Sequence, residues 1–115
     1  MSHKIYHNTR CKKSRSGLQY LQEKGIEPEI IEYLKGQPFT EKSLKEILKK
    51  LKLKPQDIIR TQEKEYKQNL KGKNFTDNEW LKILTDNPKL IRRPIIVKDD
   101  KAVLGDVLKN IDPIL

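Results

Sequence analysis

The chain has 115 residues and carries 25 lysines and arginines against 16 acids, a formal net charge of +9. That length suits one compact domain, able to bury a core without staples. A single cysteine, Cys11, excludes an internal disulfide, and no apolar run approaches the ~20 residues of a membrane span.

The N-terminus, Met-Ser-His-Lys, lacks an apolar signal region, so a soluble, cytoplasmic protein is expected. Lys4–Asn8 (KIYHN) reads as a short strand that enters a turn at Thr9. A helix is predicted from Lys12 to Lys24, with Leu18 and Leu21 on its apolar stripe and Gly25 as its stop. Pro28 leads into a second strand, Glu29–Tyr33 (EIIEY). Strand, helix and strand over about thirty residues form a right-handed βαβ unit with parallel strands.

The middle of the chain reads as helical. Thr40 caps a helix whose apolar face carries Leu44, Ile47, Leu48 and Leu51, with Phe39 placed to staple onto Leu44. Lys54-Pro55 breaks the run and starts a shorter helix towards Arg60, and Glu63–Leu70 reads as another. In FTDNEW, Thr76 and Glu79 form a capping box, and Phe75 and Trp80 occupy the staple positions. That helix runs to Asp86 and stops before Asn87-Pro88. The lysine excess between Glu41 and Lys54 has two readings, a nucleic-acid face or a solvated helix exterior that also draws small anions. No base-stacking aromatic motif or helix-turn-helix pattern accompanies it, so nucleic acid is not expected as a partner.

The last third returns to sheet. Ile95–Lys98, an Asp99-Asp100 turn and Ala102–Leu104 form an antiparallel hairpin, and a short helix from Asp106 closes near Asp112-Pro113. The order is β-α-β, a helical block over about 40–88, then β-β-α. The expected fold class is therefore α/β, a four-stranded mixed sheet in the thioredoxin layout with a helical insertion, in a single domain spanning 1–115.

Cys11 falls at the start of the first helix, where free N–H groups and the positive helix end favour an anion. Arg10, Lys12, Lys13 and Arg15 stand around it with no acid among them. Both features favour thiolate over thiol, and the same electropositive place would bind an oxyanion. Ser14 lies one helical turn on and could donate a hydrogen bond to the thiolate. It cannot resolve a mixed disulfide, so a second thiol must come from outside. His7 could tune the thiol or shuttle a proton. No metal site is expected: His3 and His7 lie four apart, but His3 sits in a terminus expected to fray.

These residues are familiar in combination. IYHNTRCKKSRSGLQYLQEKGIEPEIIEYLK resembles the N-terminal signature of the glutaredoxin-type arsenate reductase family, and NPKLIRRPIIV resembles its second signature. The resemblance runs from Lys4 to about Leu115 and implies a thioredoxin-like fold. It implies that Cys11 is the nucleophile towards arsenate or a similar oxyanion, that Arg60 and Arg93 clamp the oxyanion, and that Pro94 is the family's cis-proline. It further implies glutathione as co-substrate and glutaredoxin as partner; no Gly-rich phosphate loop is present, so no bound cofactor is expected, and the chain is expected to act as a monomer. Thr9 stands where the family usually has proline, and Asp106 stands near its third arginine. The same fold includes redox-responsive regulators that bind RNA polymerase and thiol reductases for other substrates, which remain the alternative readings.

Overall fold

The structure is a computed structural model and describes residues 3–36 and 39–115. The chain forms two compact units, one of Met1–Pro38 with Arg93–Leu115 and the other of Phe39–Arg92.

The first unit holds β1 (His3–His7), α1 (Lys12–Glu23), β2 (Glu29–Glu32), β3 (Ile95–Lys98) and β4 (Lys101–Leu104). They form a mixed four-stranded sheet in the order β2-β1-β3-β4. β1 pairs in parallel with β2, with His7 opposite Glu32, and antiparallel with β3, with Tyr6 opposite Ile95. β3 and β4 make the predicted hairpin, with Asp99 at φ 55 in its turn. In β1 the inward residues are His3, Ile5 and His7, the period of two that a strand imposes. Ile5 packs with Leu21, Ile96, Ile111 and Ile114 in one apolar cluster. α1 ends where Gly25 adopts φ 80, a conformation that glycine takes without penalty.

Two expectations are corrected at the edges of this unit. β1 begins at His3, which does not fray: it is 8% exposed, and its Nε2 donates to the Ile114 carbonyl at 2.6 Å. The closing helix begins later than Asp106 and is a run of 3-10 turns over Leu108–Ile114. Pro113 inside it has no N–H for an α-helical ladder.

In the second unit, α2 (Glu41–Leu51) buries Leu44, Ile47 and Leu48 and turns Lys42, Lys45 and Lys49 to solvent. Thr40 caps it in a reciprocal box with Ser43, at 3.0 and 2.9 Å. The predicted helix after Pro55 is a single 3-10 turn, Pro55–Ile58, because Ile59 then becomes extended and bridges to Ile91. The Glu63–Leu70 prediction is also corrected: its main part, Tyr66–Leu70, is one wide π-type turn. α3 (Asp77–Asp86) carries the capping box of Thr76 with Glu79, and Phe75 meets Trp80 edge to face at 4.9 Å between ring centres. Among the described residues, no helix is long and apolar enough to cross a membrane.

Candidate active site around Cys11

The sheet register gathers three chain segments at one end of the first unit. β1 and β2 run parallel and finish together at His7 and Glu32, while β3 runs the opposite way and starts beside Tyr6. The loop after β1 (8–11), Tyr33 after β2 and Arg93-Pro94 before β3 therefore leave the sheet at the same end. Such a strand-end position is where open α/β sheets place their ligands.

The loop is tied by its own backbone. Cys11 N–H donates to the Asn8 carbonyl at 3.0 Å, and Arg15 N–H donates to the Cys11 carbonyl at 3.0 Å, the first bond of α1. Asn8 Oδ1 accepts from Arg10 N–H at 3.1 Å, and Arg15 Nη1 holds the Thr9 carbonyl at 3.0 Å. Cys11 is thus the N-cap of α1, with φ −94 and ψ 122. Its thiol is partly exposed and makes no conventional cap hydrogen bond.

Burial by itself pushes the Cys11 thiol up, and this is the largest single influence on it. The opposing influences together win, so the thiol titrates below its ordinary range. They are the N–H groups of Ser14 and Lys13 at the helix start and the guanidinium of Arg93, which acts by hydrogen bonding and by charge. The helix terminus therefore acts as its position predicted. The cation that acts is Arg93, far along the chain; Arg10, Lys12, Lys13 and Arg15 are exposed to solvent, which screens their charge.

Ser14 serves the thiol through its backbone, which corrects the expected hydroxyl contact. Its side chain is fully buried and lies 2.7 Å from His7 Nδ1. The same Oγ accepts from Asn8 N–H at 3.0 Å. The hydroxyl thus has its proton free to donate to a neutral His7. Burial, the largest cause, lowers the His7 pKa; Glu32 opposes this and Arg15 adds to it. Together His7 and Ser14 anchor the loop that carries Cys11.

This arrangement sets a pH dependence. Unfolded, His7 titrates near ~6.5. Folded, its value is lower, so below that pH the unfolded chain binds a proton that the folded chain resists. The stability linked to His7 is full above ~6.5 and is lost as pH falls through the folded value. The urea midpoint of the wild type should therefore fall more steeply between about pH 7 and 5 than that of His7→Asn. Parallel curves would remove His7 as the source.

Arg93 is 8% exposed, and its Nη1 donates to the Tyr33 hydroxyl at 3.1 Å. The Arg93-Pro94 peptide is cis. Pro94 is fully buried between α1 and the end of β4: a Cβ on Gly17 would lie 2.6 Å from its Cγ, and one on Gly105 3.0 Å from it. Arg92, its chain neighbour, donates from Nη1 to the Asp57 carbonyl at 3.1 Å within the second unit. Arg60 also belongs to the second unit, where its Nε pairs with Glu63 Oε2 at 3.2 Å. Asp106 is half-buried just after β4. Tyr33 and Asn8 were not legible as site residues, because their partners are set by the sheet and the loop rather than by any local pattern. Among the described residues, no three His, Cys, Asp or Glu side chains gather as metal ligands would.

A cysteine capping the first helix of a four-stranded mixed sheet, with an arginine-cis-proline pair entering β3, defines a thiol protein of the thioredoxin fold. The sequence model of the ArsC family matches residues 6–113, and the chain belongs to that family. It is 38% identical over 114 residues to the arsenate reductase of Neisseria meningitidis serogroup B, covering 97% of each chain. It is 40% identical over 104 residues to the uncharacterized protein YfgD of Escherichia coli K12, covering 89% of this chain and 87% of that one. The solved arsenate reductase from Vibrio cholerae superposes with a TM-score of 0.92 at 36% identity, over 100% of this chain and 98% of that one.

Proposed function

We propose that the protein is a thiol oxidoreductase of the arsenate reductase type. The observation that carries the reading is the Cys11 thiol, held below its ordinary pKa by the start of α1 and by Arg93. Its kinship with the arsenate reductases of Neisseria and Vibrio supports arsenate as the oxyanion.

In this reading the Cys11 thiolate attacks the arsenic of arsenate, and one arsenate oxygen takes up a proton and leaves as water. The Arg93 guanidinium stabilises the charge on the remaining oxygens; its planar fork suits an oxyanion better than a point charge does. His7 and Ser14 hold the loop so that sulfur is presented at the end of the helix. A glutathione thiolate then adds to arsenic as a second oxygen takes up protons and leaves as water; the two sulfurs couple as a Cys11–glutathione disulfide, which gives arsenic two electrons and releases it as arsenite, and a glutaredoxin thiol takes the glutathione from that disulfide and returns Cys11 to the thiol. Arg60 is carried as a second oxyanion ligand on the strength of the sequence resemblance.

Steady-state reduction of arsenate in the presence of glutathione and glutaredoxin tests the reading. Cys11→Ser should fall to background, and Arg60→Ala should raise KM for arsenate. Wild-type turnover no faster than the Cys11→Ser control would overturn it. Glutathione mixed disulfides, offered to the same preparation, separate an arsenate reductase from a thiol reductase for another substrate.

A further inference from the structure

We propose that Tyr33 is a positioning residue of the Cys11 site: its hydroxyl fixes the plane of the Arg93 guanidinium before any substrate arrives. This rests on the reading of Cys11 and Arg93 above and extends it to a residue that no step of that chemistry uses.

The sheet explains how two residues 60 positions apart meet. Tyr33 follows directly on β2 and Arg93 stands two residues before β3, and both strands flank β1 at the end where its Cys11 loop leaves. The Tyr33 side chain is 1% exposed and Arg93 is 8% exposed. A buried phenol needs a partner for its hydroxyl, and a buried guanidinium needs acceptors for its N–H groups. The 3.1 Å bond from Nη1 to the Tyr33 oxygen gives each group one such partner.

The chemistry of the acceptor is what suits a working cation. A phenol oxygen accepts a hydrogen bond without bringing a negative charge. A carboxylate would hold the guanidinium as firmly but would cancel part of the field that favours a thiolate and an oxyanion. Arginine donates through a rigid planar fork. Once Nη1 is fixed, the orientation of the whole plane is set, and the remaining N–H groups need no reordering when charge develops.

Tyr33→Phe isolates this role, since it keeps the ring in the core and removes only the oxygen. In the full chain the pH midpoint of Cys11 alkylation by iodoacetamide should rise, and alkylation near neutral pH should slow by a factor of ~2–10. In an Arg93→Gln background the same substitution should change nothing, because the group that transmits the effect is gone. Arg93→Met supplies the background if Arg93→Gln does not fold. An unchanged midpoint in Tyr33→Phe, or an equal shift in both backgrounds, would overturn the proposal. The arsenate assay provides the second readout: kcat/KM should fall by up to ~10-fold in Tyr33→Phe. A wild-type protein inactive on arsenate would defeat the functional reading alone, and the alkylation cycle would still decide the role of Tyr33.

Discussion

Arg93→Lys is expected to lower kcat/KM for arsenate by ~100-fold or more and to raise the pH midpoint of Cys11 alkylation. The substitution keeps one positive charge, so a purely Coulombic role would survive it. What it removes is the fork. Arg93 holds Tyr33 with Nη1 and favours the Cys11 thiolate by hydrogen bonding and by charge, and it does so from a position only 8% exposed. An ammonium on a flexible stem cannot hold both directions in one plane. Arg93→Ala should shift the midpoint further, since charge and hydrogen bonds are lost together. The two-step order, wild type below lysine below alanine, is the diagnostic result. A midpoint unmoved in Arg93→Ala would mean that the helix N-terminus alone lowers the Cys11 pKa. The same influence has a stability counterpart. The folded thiol ionises more readily than the unfolded one, so Cys11 adds stability that is full above the unfolded value near ~8.5 and is lost as pH falls through the folded value. The stability difference between wild type and Cys11→Ser should therefore widen with rising pH.

Gly17→Ala should destabilise the first unit by ~1–2 kcal/mol, although alanine in a helix interior ordinarily stabilises by up to ~1 kcal/mol. Gly17 lies within α1 and is buried. The added Cβ would stand 2.6 Å from Pro94 Cγ and 3.5 Å from the Gly105 carbonyl oxygen. The first contact is far inside van der Waals distance, and the proline ring is itself fully buried, so it cannot swing aside as a long side chain would. Overpacking of this kind commonly costs ~1–3 kcal/mol, more than the helix propensity returns. Because Pro94 follows Arg93 directly, the displacement should also raise the Cys11 alkylation midpoint. Urea unfolding checks the first effect, and the pH profile of Cys11 alkylation checks the second. A Gly17→Ala protein more stable than wild type would show that the ring and helix part without cost.

What the sequence determined by itself was local. The Thr76–Glu79 box, the Phe75–Trp80 staple, the Gly25 stop and the alternation in KIYH act between residues at most five apart, so they can be read from a short window. The place of Cys11 at the head of α1 followed from the same signals, and with it the influence of the helix terminus. The tertiary structure decided which groups face one another. Local charge pointed to the lysines and arginines around Cys11, yet the cation that acts on it is Arg93, delivered by the strand neighbouring β1. Ser14 was placed one turn from the thiol correctly, but the burial of its hydroxyl against His7 turned the contact over to its backbone. Tyr33 with Arg93, and His3 with the Ile114 carbonyl, join positions 60 and 111 residues apart. Such pairs exist only once the sheet has fixed its strand order, and burial then makes each polar group find a partner wherever the register has put one.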